Sequence, residues 1–340
     1  MNNATILTPS LRFLIGGACI VIIGAGMKAA APVLNVILLS YLLAQSVIPF
    51  PIWLIGKRFK AGPAVVLTIV ALLFGGLLLI SLLGASVGGL IEKLPLYQEK
   101  LTGLRDTIVT FLTARGVDVA KLVPLDVFPT KSLIALFGGV LGAVAGVLGN
   151  GFLLLLVTIF MLIELVAVQI KLSDGQYPDG SMMHRFEEIS KDTRKYVAIT
   201  GISGLVQAAI NAGVLMVLGI DFAATFGVLF FFCNFIPAVG LLIAIIPPFL
   251  ITLLDHGLVR ALYVLASWWV INVIFDNIIR PKFMKKGLNI PLLSIIIGLV
   301  IWAWLLGPVG AILAIPLTMA VIRLVQYAEK TTQTQPQNGS

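Results

Sequence analysis

Long apolar stretches separated by short polar segments run through most of this chain. A membrane-spanning helix needs about 20 mostly apolar residues, and eight runs reach or approach that length. They cover residues 11–27, 31–55, 63–91, 132–170, 197–219, 222–254, 258–279 and 288–327. The pattern predicts an all-α, polytopic integral membrane protein.

The composition supports this interpretation. Hydrophobic residues make up 59% of the 340 residues and charged residues only 11%, with a mean hydropathy of +1.08. Because soluble domains carry about 25% charged residues, this chain has too few charges to cover a soluble surface of its size. We therefore interpret the net charge of +8 through membrane topology and expect no nucleic-acid partner.

Lys and Arg residues in short loops indicate which side of the membrane each loop occupies. Three loops carry tight basic clusters, and all three are predicted to be cytoplasmic. The clusters are Lys57, Arg58 and Lys60; Arg185, Lys191, Arg194 and Lys195; and Arg280, Lys282, Lys285 and Lys286. This assignment also places both termini in the cytoplasm and residues 93–131 on the extracytoplasmic side of the membrane.

Two of the apolar runs are interrupted by proline and glycine. Run 222–254 breaks at residues 234–240, and run 288–327 breaks at residues 307–310. Proline removes a backbone donor and glycine permits a sharp bend, so each run is predicted to be a helical hairpin. The first has both ends outside and the second has both ends inside. Broken helices of this kind are typical of secondary transporters. The length of the hairpin arms fits both re-entrant hairpins and fully spanning ones.

The predicted architecture consists of about six spanning helices, two broken hairpins and one outer segment. In residues 93–131, apolar side chains recur at helical spacing, which indicates an amphipathic helix. The predicted organisation is N-terminal transmembrane helices 1–3 in 1–92, the outer segment 93–131, a long bent transmembrane helix 132–170, a cytoplasmic loop 171–196, a C-terminal transmembrane region 197–327 with hairpins at 222–254 and 288–327, and a disordered cytoplasmic tail 328–340.

The chain lacks the residue patterns of common active sites. It contains no glycine-rich phosphate loop, no Cys/His cluster and no nucleophile triad, and its two cysteines lie far apart within apolar runs. We therefore predict that the protein is not an enzyme and uses neither a metal nor another cofactor.

A few polar residues lie inside apolar runs, where ionisable groups are costly and often functional. Glu164 lies shortly before a polar stretch, so its carboxylate is expected to reach the interface. Asp276 either carries an ion or forms an i,i+4 ion pair with Arg280. Asn234 is distinctive because it lies in a break, where freed carbonyls and an amide side chain can coordinate a polar solute.

Several short motifs occur together in the C-terminal third. They are Phe275-Asp276-Asn277-Ile-Ile-Arg-Pro281, Gly287-Leu-Asn-Ile-Pro291, Leu306-Gly307-Pro308-Val-Gly310 and Ala314-Ile-Pro316-Leu317, preceded by Phe235-Ile-Pro237-Ala-Val-Gly240 and the doublet Pro247-Pro248. In combination they resemble the AI-2E (autoinducer-2 exporter) transporter family, over most of the chain. The resemblance implies an oligomeric protein of the bacterial inner membrane that exports the quorum-sensing signal autoinducer-2 or, as in some relatives, exchanges sodium for protons.

The function predicted from these observations is secondary export of a small polar solute. The alternatives are a sodium- or lithium-proton antiporter with Asp276 as the carrier, a passive oligomeric pore, and a non-transporting membrane scaffold. Within the apolar runs arginine occurs only near their ends, at Arg12, Arg260 and Arg323, which argues against a strongly anionic substrate. The implied partners are the lipid bilayer, the solute or a monovalent cation, and further copies of the chain. The predicted substrate or ion pathway comprises Asn234, Pro237, Gly240, Asn272, Asp276, Asn277, Pro281, Gly307, Pro308 and Gly310.

Overall fold

The computed structural model describes residues 9–115, 149–173, 182–237, 239–280 and 291–333. Within these ranges the chain is helical and contains no β-strand, which confirms the all-α prediction. Some predictions lie outside the described residues. They are the end of the outer segment, the first part of helix 132–170, part of the loop 171–196, Pro281, and the last residues of the tail.

The helices follow the apolar runs closely. In chain order they are α1 (Pro9–Ala29), α2 (Ala31–Val47), α3 (Pro49–Gly56), α4 (Ala61–Ala114), α5 (Gly151–Ser173), α6 (Met182–Val217), α7 (Ala223–Cys233), α8 (Gly240–Ile274), α9 (Leu292–Leu306), α10 (Pro308–Ile312) and α11 (Ala314–Gln333). α8 continues into a single π-helical turn, Phe275–Ile279. α4 joins the third apolar run and the start of the outer segment in one helix of 54 residues.

Five stretches of the described chain are long and apolar enough to cross a membrane. They are Ala31–Gly56, Ala61–Leu78, Gly151–Ser173, Met182–Val217 and Gly240–Ile279. Large apolar side chains are exposed on these helices, including Phe160 at 66% and Val259 at 68%. A surface of this kind is unfavourable in water and suited to lipid, so the fold is that of a polytopic membrane protein.

The chain folds as two compact units. The terminal unit comprises Met1–Ile48, Leu156–Arg194 and Ile290–Ser340, and the central unit comprises Pro49–Leu155 and Lys195–Asn289. The first broken hairpin therefore belongs to the central unit, and the second belongs to the terminal unit.

In the central unit, α8 folds back on itself at Gly257. This residue has φ +80° and ψ 176°, a conformation that glycine adopts more readily than other residues. A straight helix from residue 240 to residue 280 would be about 60 Å long, yet Arg280 contacts Asn234, which lies just before the start of α8. The segments 240–256 and 258–280 are consequently two arms that run in opposite directions.

The two ends of the first hairpin are both fastened to α4. Lys93 pairs with Asp221 at 2.6 Å, just before α7 begins. One to two turns further along α4, Lys100 and Tyr97 bind the carboxylate of Asp255, at 2.6 and 2.9 Å. Burial, together with the hydrogen bond to Asp255, raises the pKa of Tyr97. We call these five residues the α4 clasp, and it shows that the hairpin begins and ends on the same part of α4.

In the terminal unit, the second hairpin turns at Gly307. Its φ of +69° and ψ of −148° again require a residue without a side chain. The amide of Asn35 on α2 donates a hydrogen bond of 3.1 Å to the carbonyl of Leu306, the last residue of α9. A carbonyl left unpaired where the helix ends is therefore satisfied from a neighbouring helix.

The second basic cluster has acidic partners within the terminal unit. Arg194 binds Glu187 and the side-chain oxygen of Gln169. Arg323, which lies inside the last apolar run, is 2.6 Å from the carboxylate of Asp192. Such pairing explains how this arginine is accommodated near the end of an otherwise apolar helix.

Candidate functional site

The first break arises from the chemistry of proline. Pro237 has no N–H to donate to the carbonyl of Cys233, so the regular helical bond between residues four apart cannot form there. That carbonyl instead accepts a hydrogen bond of 3.0 Å from Ile236. The chain resumes a helix at Gly240, where an added Cβ would lie only 1.9 Å from the oxygen of Cys233. Glycine is thus required because the start of α8 lies very close to the end of α7.

The break rests against one face of α6. The hydroxyl of Tyr196 donates to the carbonyl of Phe235 at 3.4 Å, and the amide of Asn234 donates to the carbonyl of Thr200 at 3.1 Å. One turn further along, a Cβ added at Gly204 would lie 2.3 Å from the Asn234 amide nitrogen. Positions four apart share a helix face, so α6 presents a hydroxyl, a carbonyl and a small residue to the break.

Arg280 closes this cluster from the end of α8. Its guanidinium donates to the side-chain oxygen of Asn234 and lies 2.9 Å from the carboxylate of Asp276. The ion pair expected from the i,i+4 spacing is therefore present. The Asp276 side chain is 40% exposed and that of Arg280 is 22% exposed, so the pair links the buried break to an accessible surface.

A second polar contact joins α6 and α8 further from the break. The amide of Gln207 donates to the side-chain oxygen of Asn272 at 2.6 Å, and the amide of Asn272 donates to the carbonyl of Trp268 at 2.7 Å. Gln207 is 2% exposed and Asn272 is 7% exposed. The antiparallel contact between α6 and α8, which we call the α6–α8 seam, therefore carries buried polar groups at two levels.

The structure brings some of the predicted pathway residues together and separates others. Arg280 joins Asn234 and Asp276. Asn272 lies on the same helix about two turns before Arg280. Asn277 is exposed, and its amide donates to the carbonyl of Val273 on its own helix. The predicted residues at positions 307, 308 and 310 lie at the second break, in the terminal unit.

The second break shares the close approach of the first but not its polar cluster. A Cβ added at Gly310 would lie 2.0 Å from the carbonyl oxygen of Trp302. The polar side chains near this break are Asn35 and Thr318, which accepts a hydrogen bond from the indole N–H of Trp302. The ion pairs of the described residues lie elsewhere. The first break is consequently the stronger candidate for a solute site.

Two residues of these polar contacts, Arg280 and Gln207, were not predicted from the sequence to be pathway residues. Arg280 was interpreted as a topology signal and as the partner of Asp276, although its long side chain also reaches the break. The sequence analysis did not single out Gln207. The signal available for Gln207 is its spacing: with Thr200, Gly204 and Asn211 it follows a single face of α6.

The cluster combines donors and acceptors without a net charge. Asp276 accepts, Arg280 donates, and Asn234 does both. Such a set can bind a small polar molecule that both donates and accepts hydrogen bonds, and the opposite charges of Asp276 and Arg280 cancel. Within the part of the chain that the structure describes, no group of three His, Cys, Asp or Glu side chains is placed to hold a metal ion.

Comparison with known proteins adds a family to this geometry. Residues 18–330 match the profile of the AI-2E family transporters. The chain is 28% identical over 329 residues to the AI-2 transport protein TqsA of Escherichia coli K12, covering 96% of both proteins. It is 26% identical over 308 residues to the putative transport protein YhhT of the same strain, covering 91% of this chain and 88% of YhhT. A putative transport protein of Haemophilus influenzae is 28% identical over 331 residues, covering 95% of this chain and 94% of that protein.

Proposed function

Because the chain belongs to the AI-2E transporter family and is a multi-pass membrane transporter, we propose that it exports a small polar solute across the bacterial inner membrane. The proposed cargo is autoinducer-2, on the strength of the 28% identity to TqsA, whose name states AI-2 transport. In this proposal both termini are cytoplasmic and the protein works as a homo-oligomer.

The observation that carries the proposal is the polar cluster at the first break. Asn234, Asp276 and Arg280 converge beside the apolar core of the central unit. Broken helices near mid-membrane provide transporters with polar backbone and side-chain groups for a solute. An entering solute would exchange hydrogen bonds with groups that already bind one another, so its binding need not leave a buried group unpaired.

The contacts of the hairpin ends support the predicted topology. Both ends of the hairpin meet at the α4 clasp. Along a straight α4 the clasp begins about 48 Å from the basic loop 57–60, which supports an opposite location for the hairpin ends and that cytoplasmic loop.

The ion pair also bears on the choice between a neutral solute and a cation. A sodium ion at Asp276 would face the guanidinium of Arg280, which lies 2.9 Å from the same carboxylate. The guanidinium already neutralises this carboxylate, and it would repel a second cation bound to the same oxygens. The geometry therefore favours a neutral polar solute over cation-proton exchange.

The proposal can be tested in proteoliposomes that contain the purified protein. We expect uptake of autoinducer-2 into vesicles in which the cytoplasmic face points outward, and no sodium uptake when a pH gradient is imposed. A conductance measurement in planar bilayers serves as the control for a passive pore. Sodium movement that depends on the pH gradient, without autoinducer-2 uptake, would contradict the proposal and establish the antiporter alternative.

A further inference from the structure

The second polar level of the α6–α8 seam contains amides whose orientation is set by the backbone. The carbonyl of Trp268 can only accept, so the Asn272 side chain must turn its NH2 group toward it. The oxygen of Asn272 then faces Gln207 and must receive a donor. Gln207 therefore turns its own NH2 group toward Asn272, and its oxygen points elsewhere. An amide flip at either residue would place like groups against each other.

This arrangement leaves two complementary polar atoms without partners. Neither the side-chain oxygen of Gln207 nor the indole N–H of Trp268 has a hydrogen-bond partner among the described residues, and both atoms are buried. Gln207 is 2% exposed and Trp268 is 9% exposed. Buried polar groups are nearly always hydrogen-bonded, so one unpaired acceptor and one unpaired donor at neighbouring turns of the seam require an explanation.

We propose that Gln207, Asn272 and Trp268 form a second solute subsite in the α6–α8 seam, which binds a small neutral molecule that carries hydroxyl or amide groups. A hydroxyl or amide group can donate to the acceptor on Gln207 or accept from the donor on Trp268. The subsite deepens the proposed function and rests on it. It lies about 11 Å along the seam from the break, given the spacing of Thr200 and Gln207 on α6.

The lack of a charge at this level determines the class of ligand. The nearest charged residue on the α8 arm is Asp276, one turn beyond Asn272, and it is paired with Arg280. A free ion at the subsite would lack a counterion, whereas hydroxyl or amide groups can provide the donor and the acceptor that the unpaired atoms need. Since Gln207 and Trp268 are buried, this conformation encloses the subsite, as expected for one state of an alternating-access cycle.

The test compares two adjacent tryptophans. Trp268→Phe removes the unpaired N–H and leaves the amide chain from Gln207 to Asn272 intact. Trp269→Phe is the matched control, because Trp269 is 61% exposed and lies on the outer side of the same helix. We expect Trp268→Phe to raise the KM for autoinducer-2 by about three- to tenfold, with kcat changed less and thermal stability retained. Gln207→Met, which removes the acceptor, should raise KM as well.

A binding measurement keeps the subsite testable if autoinducer-2 is not the cargo. Acetamide and glycerol are added to the purified protein as probes, and the rise in Tm is measured for parent and variants. A rise in the parent that is reduced in Trp268→Phe but not in Trp269→Phe supports the subsite even where autoinducer-2 transport fails. Equal KM values and equal Tm shifts in all three proteins overturn it and indicate a structural water at Gln207. An absence of both transport and Tm shift in the parent overturns the subsite and the proposed function together.

Discussion

Replacement of Gly240 by alanine should stop transport without preventing membrane insertion. The added Cβ would lie 1.9 Å from the oxygen of Cys233 and 2.8 Å from the Cβ of Ile236. Carbon and oxygen atoms in close contact are about 3.3 Å apart, so the end of α7 and the start of α8 must separate by about 1.4 Å. This movement displaces the segment that carries Asn234, on which the proposed site depends.

The energetic effect of this change follows from the same contact. Inserting a methyl group into a well-packed position costs about 1–3 kcal/mol, which is smaller than the total stability of most domains. The variant should therefore fold and insert with a reduced Tm. The same change at Gly310, where the added Cβ would lie 2.0 Å from the oxygen of Trp302, should have a similar effect on the second break.

Gly213→Ala provides a matched control on α6. A Cβ added there meets no atom within 4 Å, and alanine is favoured over glycine in a helix by about 1 kcal/mol. Tm should rise slightly and autoinducer-2 uptake should equal that of the parent. All three variants are measured in proteoliposomes, with flux normalised to the amount of inserted protein. Parental flux in both Gly240→Ala and Gly310→Ala would refute the argument that close packing at the breaks is needed for transport.

Three further predictions concern the central unit and the topology. Asp276→Asn should retain autoinducer-2 uptake within a fewfold, because the neutral amide can still accept a hydrogen bond; complete loss of a proton-coupled flux would favour the antiporter. Tyr97→Phe should lower the free energy of unfolding by about 1 kcal/mol. The pKa of Tyr97 is raised in the folded state, so its contribution to the free energy of unfolding is present below about pH 10 and is lost as the pH rises further. Urea unfolding of the parent should show this loss at alkaline pH, and urea unfolding of Tyr97→Phe should lack it. Membrane-impermeant thiol reagents should label a cysteine placed beside Asp255 and spare one placed at Lys191; labelling at Lys191 from outside would contradict the predicted orientation.

Much of the architecture could be predicted because its causes are local. Apolar runs indicate helices directly, and proline close to glycine favours a break because proline lacks an N–H and glycine permits a sharp bend. The breaks at Pro237 and Gly307 are therefore visible in the sequence. The reason for Gly240 and Gly310 was only partly visible, since a sequence cannot distinguish a positive φ from close packing. The structure shows close packing at both positions.

Hydropathy alone located the end of the third apolar run but not the end of the helix. The sequence analysis separated the spanning run from the outer segment at residue 92. In the structure α4 continues through this point to Ala114. A change from apolar to polar side chains alters the surroundings that a helix prefers, whereas its backbone hydrogen bonds are made within the helix and continue regardless. Partners for the polar part, such as Asp221 and Asp255, come from distant parts of the chain.

The sequence by itself determined the all-α membrane fold, the positions of the two breaks and the i,i+4 spacing that allows Asp276 to pair with Arg280, because each depends on residues close together in the chain. Only the tertiary structure decided that Arg280 also binds Asn234 and that Gln207 meets Asn272. These contacts join residues 46 and 65 positions apart. They form because the second arm of α8, after the turn at Gly257, packs along α6, and no local pattern of side chains specifies which helix will be its neighbour.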